Sequence, residues 1–255
     1  MWRTFFEIMY GISYLIPVPR WRRYFRRVKL FDYRAKLRAL YTARPDLKKH
    51  RMRLAKGGGS LAFIFDNQYV FKVRKYCDRD NSATRFAYEK RITDAIAPVL
   101  NIKVPQIDII AAGEFLFYAT TFIPGRVLVD LPLKRIREHR EKIGKQLGDV
   151  IFTLFNTKFP QLNDIRAQQI QDQDLAQDDV GLTHGDMCSN IIVNPATMDL
   201  VGIIDWEYAG YSSVKRDFIG IFRVRRKMRQ TDIAPEAMWE YYRRMRQNNT
   251  KTKGK

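Results

Sequence analysis

The chain of 255 residues is poor in cysteine, histidine and acid: it has two Cys, three His, and 27 Asp and Glu against 46 Lys and Arg. Cys77 and Cys188 cannot make the framework of a disulfide-stapled secreted domain, which favours a reducing cytoplasm. No long hydrophobic run is present either. The apolar stretch from Trp2 to Ile16 is shorter than the ~20 residues that span a bilayer, and it carries Glu7. It is also a poor signal peptide, because no small-residue cleavage site follows it and its dense positive charge comes after the apolar part.

The net charge of +19 is unevenly spread. Residues 1 to 56 hold 16 basic and 3 acidic side chains and residues 215 to 255 hold 13 and 4, whereas the middle, 57 to 214, holds 17 and 20. The excess of base belongs to the ends, around a slightly acidic central domain. At the N-terminus Trp2, Phe5, Phe6, Trp21 and Phe25 are interleaved with Arg20, Arg22, Arg23, Arg26 and Arg27. Aromatics with arginines suit the headgroup layer of an anionic membrane. A helix packed on the domain with a solvated basic face is the plainer alternative. Nucleic acid is not expected as a partner, because no helix-turn-helix, zinc or aromatic RNA-binding signature accompanies the charge.

What carries chemistry lies in the second half. In Thr183-His184-Gly185-Asp186 through Asn190-Ile191-Ile192-Val193, and in Val201-Gly202-Ile203-Ile204-Asp205-Trp206-Glu207, apolar β-branched residues adjoin a carboxylate, Asp186 or Asp205. A turn at Pro195-Ala196-Thr197 between short strands would fold Asp205 back towards Asp186 and Asn190. Phosphoryl transfer needs a carboxylate to accept the proton of the attacking hydroxyl and oxygen ligands for Mg²⁺. An Asp, an amide and a second Asp supply those parts.

Upstream, Lys56-Gly57-Gly58-Gly59-Ser60 leads into a β-rich run, where glycines would let the backbone approach phosphates. A hairpin turn at 66 to 68 and the alternating strand Tyr69 to Val73 follow, with Lys72 on the face of Val70. Helical spacing predicts a helix over 82 to 97 with Glu89 near its middle, and further strands over 104 to 110 and 116 to 123. A helix is also expected over 31 to 43. In the second half a single long helix is expected over 133 to 156, with others over 219 to 228 and 235 to 245. The segment 163 to 180 reads as an acidic loop, and 247 to 255 as a disordered tail.

His184-Gly185-Asp186, Asn190 and Ile204-Asp205-Trp206-Glu207 resemble the motifs of the aminoglycoside phosphotransferase and choline kinase-like superfamily. The resemblance runs from about 54 to 218 and implies an α+β, two-lobed, protein-kinase-like fold with a small antiparallel-sheet N-lobe and a mainly helical C-lobe. It implies Asp186 as catalytic base, Asn190 and Asp205 as Mg²⁺ ligands, and Lys72, paired with Glu89, on the phosphates of ATP, with GTP the alternative. Gly57, Gly58, Gly59 and Ser60 would form the nucleotide loop, Phe122-Ile123-Pro124-Gly125 the hinge, and Asp217 a structural carboxylate. One departure stands out: the family sets five steps between Asp and Asn, and 186 to 190 is four. Domains are expected at 1 to 47 (membrane-associating segment), 48 to 124 (N-lobe), 125 to 246 (C-lobe) and 247 to 255 (tail). The expected function is ATP-dependent transfer of phosphate to a hydroxyl of a small molecule or membrane-linked glycan, such as lipopolysaccharide or a capsule sugar, at the inner face of the cell membrane. A soluble aminoglycoside or choline kinase and a non-catalytic kinase-like binding module are the alternatives.

Overall fold

A computed structural model describes residues 30–56, 60–75, 79–165, 180–187, 189–222 and 233–252. The expectations for residues 1 to 27, Gly57, Gly58, Gly59 and most of the acidic stretch (166–179) fall outside these residues.

The N-terminal lobe is a five-stranded antiparallel sheet in the order β1-β2-β3-β5-β4, from β1 (Met52–Lys56), β2 (Ser60–Phe65), β3 (Tyr69–Arg74), β4 (Asp108–Ala112) and β5 (Phe115–Thr121). One face is dominated by Phe63, Phe65, Phe71 and Phe117, all buried. Alternation along each strand puts these rings on one side, so the sheet needs a cover. Helix α1 (Leu30–Ala43) and a 3₁₀ turn at Pro45–Lys49 provide it, burying Leu40 and Leu47 completely. The lobe therefore begins before residue 48, and the expected boundary at 47 cuts through its core. The reason is local: Leu40 and Leu47, with Tyr33, Leu37 and Tyr41 of the same basic stretch, cover the phenylalanine face.

Helix α2 (Arg79–Ile96) joins the lobes. Phe86 packs with Ile107, Leu116 and Tyr118 of the N-lobe, while Ile92 and Ile96, two turns on, belong to the core of the C-lobe. Between them Glu89 is 1% exposed. The strand expected over 104 to 110 starts only at Asp108; Pro105, which has no N–H for a ladder, keeps the chain before it out of the sheet.

Beyond β6 (Arg126–Val127) the C-lobe contains α3 (Leu133–Glu138), α4 (Arg140–Asn156), α5 (Lys215–Phe222) and α6 (Ile233–Thr252). It also holds β8 (Ile191–Val193), which pairs with β6 on one side and with β9 (Leu200–Ile203) on the other, and the ribbon of β7 (Val180–Thr183) with β10 (Gly210–Ser213). The helix expected over 133 to 156 is two, broken at His139 (φ −114, ψ 17), whose ring nitrogen bonds the Arg135 carbonyl. The period of 3.6 runs through both pieces, so the break left no trace in the apolar pattern. Helix α4 is central and packs closely on α6: a Cβ on Gly148 would lie 2.5 Å from the Ala237 carbonyl oxygen. Helix α5 starts at Lys215, four residues before the expected 219. Helix α6 continues to Thr252, where a disordered tail was expected from Gln247; no Gly or Pro interrupts the chain until Gly254.

Candidate active site

Two loops carry the site. The loop between β7 and β8 holds His184, Gly185, Asp186 and Asn190, and the residues just after β9 are Ile204, Asp205, Trp206 and Glu207. Two hydrogen bonds tie them: Ile204 N–H to the Asn190 carbonyl at 3.0 Å and His184 Nε2 to the Ile204 carbonyl at 3.1 Å. The expected return of Asp205 to the neighbourhood of Asp186 and Asn190 is the result.

His184 is a brace. Its Nδ1 accepts the Asp186 backbone N–H at 3.1 Å, which leaves the proton on Nε2 to be donated to Ile204. The ring lies 4.4 Å from that of the fully buried Trp206. Burial pushes the imidazole down to about 4, so it is neutral near pH 7. From the other side both carboxylate oxygens of Asp217 accept backbone N–H groups, from His184 at 2.9 Å and Gly185 at 2.8 Å. The structural role expected for Asp217 is thus seen in its bonds. Burial raises its carboxyl to about 6 even though those two N–H groups oppose the rise. Gly185 has φ +82, and a Cβ there would stand 2.6 Å from the Tyr208 carbonyl oxygen. Only glycine suits that position.

The shortened loop still seats Asn190. Its Nδ2 donates to the Asp186 carbonyl at 2.7 Å, and its own N–H bonds the Met187 carbonyl at 3.0 Å. The amide oxygen remains as an acceptor, so the four-step spacing keeps a donor for a hard cation. Asp205 sits at φ +65, an uncommon conformation for a side chain with a Cβ and one that Asp tolerates better than most.

The N-lobe grips three consecutive residues of the second loop. Lys72 Nζ meets Asp205 Oδ1 at 2.6 Å, Glu89 Oε1 accepts the Trp206 N–H at 3.0 Å, and Arg74 Nη1 meets Glu207 Oε2 at 2.6 Å, with Arg85 3.8 Å from the same oxygen. Lys72 also approaches Glu89 Oε2 at 3.9 Å, the expected pair, and lies over the Tyr118 ring of the neighbouring strand at 5.5 Å. Burial by itself would lower the Lys72 ammonium, but Glu89 and Asp205 outweigh it and its pKa lies above the usual value. Burial holds the Glu89 carboxyl above its ordinary range while Lys72 pulls the other way. The contact of Arg74 and Arg85 with Glu207 was not anticipated. A period-2 reading of β3 would have found Arg74, which shares a face with Lys72.

Ser60 opens β2 directly after the glycines, and its hydroxyl is buried with no hydrogen-bond partner. Such a donor at the mouth of the loop suits a phosphate oxygen. Among the described residues no group of three His, Cys, Asp or Glu side chains could hold a metal ion. Asp205 and Asn190 instead offer one carboxylate and one amide oxygen, a set that fits Mg²⁺ bound mainly through nucleotide phosphates.

The sequence model of the Phosphotransferase enzyme family matches residues 154–247, which include His184 to Asn190, Asp205 and Asp217. No curated protein sequence matches the chain. Among solved structures, aminoglycoside phosphotransferase APH(2'')-Ib with ADP bound is similar with a TM-score of 0.62 at 14% identity, covering 80% of this chain and 81% of that one. The GDP complex of aminoglycoside 2'-phosphotransferase-IIIa gives 0.64 at 14% identity, with 82% of each chain covered. The macrolide 2'-phosphotransferase from Brachybacterium faecium gives 0.55 at 16% identity, with 75% and 76% covered. The chain has the two-lobed, kinase-like α+β fold of these phosphotransferases, as the resemblance implied.

A pH test follows from the neutral His184. With a folded value of about 4 against about 6.5 unfolded, its contribution is complete above pH 6.5 and is lost as pH falls towards 4. Asp217, raised to about 6, acts in the opposite sense over the lower part of that window, so the wild-type profile alone conceals both. Wild type and His184→Gln share Asp217, and the stability difference between them should shrink by up to about 3 kcal/mol from pH 6.5 to 4. Chemical denaturation at several pH values measures it; a constant difference would contradict a buried neutral imidazole.

Proposed function

We propose that the protein is an ATP-dependent phosphotransferase with a hydroxyl acceptor. The observation that carries this is the grip of Lys72, Glu89 and Arg74 on the loop of Asp205, beside a loop that presents Asp186. Asp186 accepts the proton of the acceptor hydroxyl as its oxygen attacks the terminal phosphorus of the nucleotide, while the bond from that phosphorus to the bridging oxygen breaks and the nucleoside diphosphate leaves. Lys72 and the Ser60 hydroxyl contact the phosphates, and Asn190 and Asp205 hold Mg²⁺, which when bound neutralises charge on the transferring group. Lys72 then exchanges part of its contact with Asp205 for phosphate oxygens. Neighbouring structures hold ADP or GDP, which supports a purine nucleotide and leaves ATP and GTP both open to test.

For the acceptor we favour a hydroxyl on a membrane-linked glycan, a lipopolysaccharide or capsule sugar, handled at the inner face of the cell membrane. Support comes from the charge of +19 and the aromatic, arginine-rich residues 1 to 27. A soluble aminoglycoside kinase is the second reading, favoured by similar structures solved with streptomycin, gentamicin and kanamycin.

Asp186→Asn removes the proton acceptor and Asp205→Asn removes a metal ligand and the partner of Lys72. Each should lower phosphoryl transfer, followed by nucleotide diphosphate release, by about two orders of magnitude or more in a folded protein. Undiminished turnover in a folded Asp186→Asn protein would end the phosphotransferase reading.

The acceptor reading has its own test. Full-length protein should sediment with vesicles of anionic phospholipid, less so in 1 M salt where the Debye length is ~3 Å, and should be released by deletion of residues 1 to 27. Failure to sediment at low salt would move the soluble aminoglycoside kinase ahead.

A further inference from the structure

Among the described residues the Arg216 side chain makes no hydrogen bond and no ion pair. It lies in the first turn of α5, mostly shielded from solvent, and its Nη1 is buried without any partner. The adjacent carboxylate does not serve it, because both oxygens of Asp217 are taken by the backbone N–H groups of His184 and Gly185. The guanidinium is turned onto the catalytic loop: a Cβ on Gly185 would stand 2.7 Å from both its Cζ and its Nη2. Once burial, which dominates at each, is set aside, the positive charge of Arg216 also bears on Tyr88, His184 and Asp217.

A buried guanidinium donor with no acceptor is uncommon in a folded protein, since water lost from it must be replaced. Here it lies one residue from Asp186, the group that meets the acceptor hydroxyl. It has no bond to Lys72, Ser60 or Glu89, the residues on the nucleotide side. We propose that Arg216 is the specificity-determining residue of the acceptor site and receives an oxyanion substituent, phosphate or carboxylate, carried by the acceptor close to the hydroxyl that is phosphorylated. This rests on the phosphotransferase reading and deepens it: the acceptor is an anionic hydroxyl compound, in keeping with a strongly basic chain. The planar fork of the guanidinium can meet two oxygens of one such group, a geometry that an ammonium does not offer.

Thermal denaturation of the full-length protein saturated with Mg-ADP tests this, with sodium sulfate or sodium acetate as probe against sodium chloride at equal ionic strength. Sulfate stands for a phosphate substituent and acetate for a carboxylate, and the anion giving the larger Arg216-dependent gain identifies which one the acceptor bears. Arg216→Gln should need at least about tenfold more of that anion for the same rise in melting temperature, and Arg216→Lys, which keeps charge but not the fork, should fall between. Identical anion responses in wild type and Arg216→Gln would overturn the proposal. If Arg216→Gln does not fold, a wild-type response in Arg216→Lys would do the same, as would two anions no better than chloride for wild type. Mg-ADP affinity, measured in the same samples, keeps the readings apart: its absence in wild type counts against the phosphotransferase, whereas its presence with no Arg216-dependent anion effect counts against Arg216 alone.

Discussion

The ammonium of Lys72, held between the carboxylates of Asp205 and Glu89, is the contact on which the rest of the structure depends. A lysine with 14% of its side chain exposed keeps its charge only if opposite charge lies close by. Those carboxylates arrive from different places, one on the helix that joins the lobes and one on a C-lobe loop 133 residues beyond the lysine itself. Satisfying one cation thus fixes strand, helix and loop together. Glu89 contributes twice, since its other oxygen accepts the Trp206 N–H and so sets the backbone next to Asp205.

Rigidity on the far side of the site has another origin. Asp217 holds the backbone of His184 and Gly185, and His184 in turn holds Asp186 and Ile204. These bonds are buried, where an unmade bond is costly, so the geometry of the loop is strongly specified. That is why one residue fewer between Asp186 and Asn190 does not dismantle it. The amide still closes on the Asp186 carbonyl.

How much of this could be read beforehand depended on the kind of residue. The order of Lys72 strand, Glu89 helix and Asp205 hairpin was legible, because each element is short, strongly patterned and bounded by turn formers. Glu89 was legible only through the resemblance: on spacing alone it could have paired with Arg85 or Lys90. The break at His139 was hidden, since the apolar positions on its two sides stay in phase. Leu40 and Leu47 were lost in a basic segment assigned as a whole to the membrane, although with Tyr33, Leu37 and Tyr41 they pack it onto the sheet. The partners of Glu207 and the burial of Arg216 were invisible for a related reason. A charged residue in a basic sequence says nothing about burial until the fold has enclosed it.

We propose that Lys72 contacts the nucleotide, with Asp205 in the place of phosphate oxygens. Calorimetric titration of Mg-ATP into wild type and Lys72→Met tests it most directly. Binding to wild type should depend on Mg²⁺ and be weakened at least about tenfold in Lys72→Met, the loss of one charge-assisted contact to phosphate. Equal affinity in the two proteins, or no binding to wild type with Mg²⁺ present, would contradict it.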